Sequence, residues 1–197
     1  MNTIIYLVRH GEVNNPKQIF YGRLPGFSLS GIGRKEAHRL GNFLAGKTLS
    51  AIYASPLERA METASIIASY QNNVSVVPDK RLLEVKSLVQ GKTFKELGHD
   101  WLNFYTPKYT KLGSEKLSDV WNRMASMMQD IVINHKGREI AVVTHGDPVM
   151  ISVIKHLGRP LRIREIRGQD YIMTGGGYRF VFNDFRALEV SKLDFSP

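Results

Sequence analysis

The stretch IIYLVRHG occupies residues 4–11, and a second stretch of the same pattern, IAVVTHG, occupies residues 140–146. In each, an apolar run rich in β-branched residues ends near a histidine that glycine follows. Such a run is typical of a buried strand that delivers a polar side chain to its end. Because ligands of open α/β sheets bind at the carboxyl ends of the strands, His10 and His145 are expected to share one crevice.

Strand and helix patterns alternate along the whole chain. The predicted strands are residues 4–8, 51–54, 74–77, 140–143, 178–182 and 187–193. The predicted helices are residues 30–46, 55–70, 117–135 and 147–158, with Ser30, Ser55 and Asp147 as N-caps of the first, second and last. No repeat or linker interrupts them. The order predicts one α/β domain over residues 1–197, a three-layer α/β/α sandwich with a mostly parallel central sheet.

The composition is that of an ordinary globular protein, with 43% hydrophobic and 23% charged residues. No apolar stretch approaches the roughly 20 residues that a membrane-spanning helix needs. The chain has no cysteine, which excludes disulfides and thiolate metal sites. The first apolar run is too short for a signal peptide. These features predict a cytoplasmic protein with no membrane partner.

The net charge of +9 favours anionic partners, such as phosphates, acidic surfaces or nucleic acid. The densest basic stretch, residues 159–167, contains aliphatic spacers and no interleaved aromatic residues. It matches no nucleic-acid-binding motif and is interpreted as a solvated face, so a nucleic-acid partner is not favoured.

Arg59 suggests where an anion binds. The segment SPLER at residues 55–59 combines a capping serine, a proline at the first helical position and a capping-box glutamate. Arg59 therefore falls in the first turn of a helix, and its side chain leans back over the end of the preceding strand. A cation at this helix end opposes the helix dipole, and an anion bound beside it would remove that conflict.

Two histidines and two arginines, Arg9 and Arg59, are thus predicted at one edge of the sheet. Arginines can donate bidentate hydrogen bonds to a tetrahedral phosphoryl group. One imidazole can attack phosphorus, and the other can stabilise the transferring oxygens when protonated. A metal site built on the two histidines is the alternative, but the chain lacks ligand spacings such as His-Glu-x-x-His.

These motifs together resemble the histidine phosphatase superfamily, the phosphoglycerate mutase-like group. The resemblance rests on Arg-His-Gly at residues 9–11, SPLERA with ETA at 55–64, and Thr-His-Gly at 144–146, in that order. It covers residues 3–193 and implies the phosphoglycerate mutase-like fold. It also implies that His10 is the phosphorylated nucleophile, that Arg9, Arg59 and His145 bind phosphate, and that the chemistry is metal-independent. No cofactor is expected for the leading hypothesis.

The resemblance further suggests that Glu84, in the context Leu-Leu-Glu, is the general acid. Gly146 and Arg23 are the remaining candidates for substrate contacts, Arg23 being equally compatible with an exposed position. The chain departs from the family pattern at Val13 and Pro16, where polar residues are usual. Asn14 and Asn15 are the candidate replacements.

The leading hypothesis is a metal-independent phosphatase for a small phosphomonoester, working through phosphohistidine. A cofactor-dependent phosphoglycerate mutase is the nearest rival, although the resemblance implies that dedicated mutases are longer. The third possibility is a phosphate-binding or nucleic-acid-binding domain without catalysis. The sequence predicts no particular substrate and no oligomeric state.

Overall fold

The structure, a computed structural model, describes residues 1–99 and 103–195. Within these residues the strands are β1 (Thr3–Arg9), β2 (Leu49–Ala54), β3 (Val76–Pro78), β4 (Glu139–Thr144), β5 (Gly177–Asn183) and β6 (Arg186–Lys192). The α-helices are α1 (Gly31–Ala45), α2 (Glu58–Ala68), α3 (Phe94–Leu97), α4 (Pro107–Thr110), α5 (Leu117–Asn134), α6 (Gly146–His156) and α7 (Ile163–Ile166).

The strands form one sheet in the order β3-β2-β4-β1-β5-β6. The pairs β1–β4, β2–β4 and β2–β3 are parallel, whereas β5 and β6 add an antiparallel hairpin beside β1. The predicted α/β fold with a mostly parallel sheet is confirmed. Since β1 and β4 are neighbours that run in the same direction, the residues that follow them lie at the same edge.

Side-chain alternation along the strands divides the core into two layers. Ile5 and Leu7 point to the face that α5 and α6 cover, where the core includes Met124 and Val149. Tyr6 and Val8 point to the opposite face, which α1 and α2 cover with Leu40, Leu44 and Ile67 among the residues that close it. Because successive residues of a strand face opposite sides, an apolar run without alternation is what a strand buried on both faces requires.

Helix α1 begins and ends where the sequence predicts. The Ser30 hydroxyl accepts a hydrogen bond from the Gly33 amide at 3.0 Å, and Gly46 is the C-cap. Ile32, an apolar residue in the first turn of α1, does not share the buried side of the helix, because it is 58% exposed. Ile32 lies five residues before Ala37, which places it about 140° away around the helix. In the described part of the chain, no helix combines the length and the apolar character needed to cross a membrane.

The loop after β1 packs tightly on the start of α1. The Glu12 carboxylate accepts a hydrogen bond from the Ser30 hydroxyl at 2.6 Å, and the Glu12 amide donates to Glu36 at 2.7 Å. A Cβ added at Gly33 would overlap the backbone carbonyl of Glu12, and one added at Gly11 would overlap that of Gly33. Both glycines are therefore required by a close backbone approach directly beyond His10.

This approach gives a stability prediction with a matched control on the same helix. Gly33→Ala should lower the free energy of unfolding by about 1–3 kcal/mol, because backbone atoms must move apart to admit the methyl group. The methyl group added by Gly31→Ala would meet no heavy atom within 4 Å. This variant should leave the free energy of unfolding unchanged or raise it by up to about 1 kcal/mol. Urea unfolding of both variants checks this, and equal effects would contradict it.

Candidate active site

His10 and His145 lie side by side at the carboxyl edge of the sheet. Arg9 and Thr144, the last residues of β1 and β4, are partners in the parallel pairing. Each histidine follows directly, and the His10 amide donates to the Thr144 carbonyl at 3.0 Å. The ring centroids are 5.1 Å apart, and both residues are buried. The predicted meeting of the two imidazoles is confirmed.

The surroundings of His10 fix its tautomer. Its Nδ1 lies 2.7 Å from the Gly11 carbonyl oxygen, which can only accept, so Nδ1 carries the proton. Its Nε2 then has a free lone pair and accepts from Arg59 Nε at 3.1 Å. Burial, with help from Arg59 and Arg9, lowers the pKa of His10 well below its usual range. His10 is therefore a neutral imidazole whose Nε2 faces the arginines.

Arg59 connects the two imidazoles. It is the second residue of α2 and is fully buried. Besides the bond to His10, its Nη2 lies 3.2 Å from His145 Nδ1 and donates to the Gly22 carbonyl at 2.8 Å. The guanidinium carbon lies 4.7 Å from the centroid of the Tyr21 ring. A side chain predicted at the first turn of this helix thus reaches both histidines.

The predicted capping role of Ser55 is wrong. Helix α2 begins at Glu58 with Leu57 as N-cap, and no side chain caps it. The Ser55 hydroxyl lies 2.8 Å from His145 Nε2 instead. Because His145 Nδ1 faces the guanidinium of Arg59, the neutral ring accepts there and donates from Nε2 to Ser55. This partnership has no local sequence signal of its own, because the serine also fits a helix start.

A threonine in α2 ties the helix to the loop beyond His10. The Thr63 hydroxyl donates to the Arg59 carbonyl at 2.8 Å and accepts from the Gly11 amide at 3.2 Å. Thr63 is buried and lies one turn after Arg59. It therefore fixes the backbone of both Arg59 and the residue that follows His10.

Arg9 brings a second guanidinium to the site. Its Nη1 donates to the Ile172 carbonyl at 2.7 Å, and its guanidinium carbon lies 5.5 Å from the Tyr171 ring centroid. Its buried Nε has no hydrogen-bond partner among the described residues. A buried donor normally has a partner, so this N–H is suited to an anionic ligand.

Glu84 is also brought to the site. Its Oε1 accepts from the Val85 amide at 2.8 Å, and its Oε2 lies 3.9 Å from His145 Nδ1. Burial raises the pKa of Glu84, and the charge of Asp147 raises it further, against the opposing influence of the Val85 amide, Arg59 and Arg9. The carboxyl thus has a raised pKa beside the histidine pair, as a general acid requires.

The structure places Arg23 outside the group of residues around His10. Its Nε donates to the Glu84 carbonyl at 2.6 Å, and its Nη2 forms a 2.9 Å ion pair with Glu115. Arg23 thus supports the backbone of Glu84. Gly146 is the first residue of α6, where a Cβ would overlap the Tyr171 hydroxyl, so the residue is required by packing.

The structure offers no side-chain replacement at the positions that depart from the family pattern. Asn15 uses its side-chain amide on the backbone of Ile19, at 2.9 and 3.2 Å. Asn14 is exposed, and its backbone amide donates to Ser28. Val13 forms a bridge with Leu29. The loop contributes the Gly22 carbonyl and the Tyr21 ring to Arg59 instead.

Asp147 is predicted to be the N-cap of α6, but it is not, because the helix begins at Gly146 with His145 as N-cap. Its buried carboxylate accepts from Arg167 Nη2 at 2.6 Å and Nε at 3.1 Å, and from the hydroxyls of Tyr105 at 2.6 Å and Tyr171 at 2.8 Å. These partners come from distant segments, so nothing in the local sequence signals the cluster.

A cavity of about 320 Å³ opens beside the histidines. Arg9 and Glu84 lie in its wall, together with the Asp147–Arg167 pair. The remaining described lining residues are Phe20, Tyr21, Gly22, Phe94, Phe104 and Tyr171. The site is thus a buried cluster of histidine and arginine side chains next to an aromatic-walled cavity.

Comparisons with known proteins agree with this geometry. The model of the histidine phosphatase superfamily, branch 1, matches residues 5–172. The 2,3-bisphosphoglycerate-dependent phosphoglycerate mutase of Thermoplasma acidophilum is 29% identical over 76% of this chain and 74% of its own. Phosphoserine phosphatase 1 of Hydrogenobacter thermophilus is 28% identical over 78% of this chain and 76% of its own.

Among solved structures, Bacillus stearothermophilus YhfR superposes with a TM-score of 0.82, at 28% identity over 94% of each chain. This similarity extends over nearly the whole fold, and the family match includes Arg9, His10, Arg59, Glu84 and His145. The general chemistry that such relatives share is phosphoryl transfer. The chain belongs to the histidine phosphatase superfamily, in its branch 1.

Proposed function

We propose that the protein is a phosphomonoesterase that works through a phosphohistidine on His10. The observation that carries this proposal is the buried Arg59 guanidinium, which contacts both His10 Nε2 and His145 Nδ1. A phosphoryl group bound at Arg59 and Arg9 would lie in reach of the His10 lone pair. Relatives named as a phosphatase and as a mutase support the same first half-reaction.

In the first displacement, His10 Nε2 attacks phosphorus, and the ester P–O bond breaks as the P–N bond forms. The proton of Glu84 passes to the departing oxygen, which leaves as an alcohol. Arg9 and Arg59 balance the charge on the phosphoryl oxygens. A phosphate dianion beside His145 favours protonation of its Nδ1, which then becomes a further donor.

In the second displacement, water attacks the phosphohistidine. The Glu84 carboxylate accepts a proton from the water, the P–N bond breaks, and inorganic phosphate leaves. Both steps use groups already in the site. In the described part of the chain, no group of three or more His, Asp or Glu side chains is arranged to hold a metal ion.

Replacing His10 tests the nucleophile. His10→Ala should lower kcat on 4-nitrophenyl phosphate roughly a thousandfold or more, because the covalent route is lost. The matched control is His38→Ala, which replaces an exposed histidine that is hydrogen-bonded to Tyr70, and this variant should keep activity. Acid-labile, alkali-stable phosphate should be trapped on the parent protein and absent from His10→Ala. A parent enzyme that loses all activity in EDTA would contradict the mechanism.

Replacing Glu84 tests the acid. Because its pKa is raised, the acid form persists above the usual range of a carboxyl, and kcat/KM should fall as pH rises through that pKa. Glu84→Gln should remove this alkaline fall. In kcat/KM, which reports the first displacement and not the hydrolysis of the phosphohistidine, it should also slow alkyl phosphates by about a hundredfold or more, and 4-nitrophenyl phosphate much less, since nitrophenolate leaves without a proton.

Glu58→Gln removes an exposed carboxylate beside Arg59 and is the charge-matched control for Glu84→Gln. It should retain the alkaline fall. Equal losses of kcat/KM on both classes of ester in Glu84→Gln would argue against the role of Glu84 as the acid.

The products formed from 3-phosphoglycerate separate hydrolysis from mutase activity. Hydrolysis releases inorganic phosphate, whereas a mutase returns the phosphoryl group to a different hydroxyl. We expect any turnover, even if it is slow, to give free phosphate and no isomer, measured by ³¹P NMR. Isomer in excess of phosphate would assign the chain to the mutases.

A further inference from the structure

The cavity beside the histidines has a largely aromatic wall. Five aromatic rings line it among the described residues: Phe20, Tyr21, Phe94, Phe104 and Tyr171. Two of these rings also contact the phosphate-side arginines, Tyr21 facing Arg59 at 4.7 Å and Tyr171 facing Arg9 at 5.5 Å. A group attached to a bound phosphoryl would therefore enter directly between aromatic faces, which suit a planar apolar partner.

The charges in the wall do not favour an anionic leaving group. Arg9 and Glu84 serve the phosphoryl group and the departing oxygen in the proposed reaction. The Asp147 carboxylate accepts hydrogen bonds from both Nε and Nη2 of Arg167, and Nη2 lies 2.6 Å from Asp147 Oδ2 in this ion pair. The Arg167 guanidinium carbon also lies 4.6 Å from the Phe104 ring centroid. Its charge is thus already balanced within the wall.

A carboxylate on the substrate would meet two costs in this cavity. It would lose its hydration, and it would face the ionised Asp147, whose pKa stays low because Arg167 and two tyrosine hydroxyls hold the charged form against the effect of burial. To bind Arg167, it would have to displace Asp147 from a bidentate pair with two further hydrogen bonds. A neutral group meets neither cost.

We propose that this cavity is a leaving-group pocket for planar, uncharged groups, so that the preferred substrates are phosphomonoesters of aryl or similarly flat apolar alcohols. The Asp147–Arg167 pair is its specificity determinant against carboxylates. This inference rests on the proposed function and names its substrate class. The net charge alone favours anionic partners in general, whereas this pocket favours a phosphomonoester whose leaving group carries no charge.

Two esters that differ by one charge test the pocket. In 4-carbamoylphenyl phosphate and 4-carboxyphenyl phosphate the leaving groups are nearly isosteric, and only the second carries a carboxylate. The ratio of kcat/KM for the amide to that for the acid should be about tenfold or more in the parent protein, measured above neutral pH. A ratio near one, or a preference for the acid, overturns the proposal.

Variants of the charged pair should move this ratio in opposite directions. Asp147→Asn leaves the Arg167 charge without its carboxylate, so kcat/KM for the acid ester rises and the ratio falls. Arg167→Gln leaves Asp147 without its cation, so the ratio rises. Tyr105→Phe removes one hydrogen bond to Asp147 and no charge, and should keep the ratio within about twofold. A general structural disturbance would move both charge variants the same way, and that result counts against the pair as the specificity determinant.

Failure of this inference is distinguishable from failure of the proposed function. If both esters are hydrolysed equally and His10→Ala abolishes both, the leaving-group pocket is wrong and the phosphohistidine mechanism stands. If neither ester gives turnover that depends on His10, the mechanism falls and this inference falls with it.

Discussion

The site depends on one buried cation, the Arg59 guanidinium, held between two neutral imidazoles. A buried charge needs compensating contacts, and Arg59 has no carboxylate hydrogen-bonded to it in the described residues. The Gly22 carbonyl, two ring nitrogens and the face of Tyr21 surround it. Burial accordingly lowers the pKa of Arg59, and it also lowers the pKa of His10 and His145, so that the two rings stay neutral. In the proposed reaction, a phosphoryl dianion supplies the opposite charge beside this cation.

Two carboxyl groups in one cavity have opposite protonation behaviour because their hydrogen bonds differ. Asp147 accepts from a bidentate guanidinium and two tyrosine hydroxyls, which hold its pKa low against the effect of burial. Glu84 accepts from a single backbone amide, and burial raises its pKa. The charge of Asp147 strengthens this difference. Because hydrogen-bond donors are unequally distributed between the two carboxyl groups, Asp147 stays ionised and Glu84 can act as an acid in the same cavity wall.

The sequence predicts the proposed phosphate-binding side of the site well, because its residues lie at the ends of strands and helices. His10 and His145 follow buried strands that pair in parallel, and Arg59 lies in the first turn of the helix after β2. Strand periodicity and helix polarity are local signals, so the crevice can be inferred without coordinates. Even there, the helix starts mislead, since Ser55 and Asp147 both fit a capping pattern but bind side chains across the fold.

The proposed leaving-group pocket is built differently, and this limits what the sequence predicts. Its wall combines residues 20–22, Glu84, Phe94, Phe104, Asp147, Arg167 and Tyr171. These residues lie mostly on loops and short helices, and each looks locally like an ordinary core or surface position. Arg23 illustrates the difficulty, because its contacts with Glu84 and Glu115 span 61 and 92 residues of sequence. The chemistry of phosphoryl transfer therefore follows from periodic elements, whereas the choice of substrate depends on contacts between distant segments that only the fold brings together.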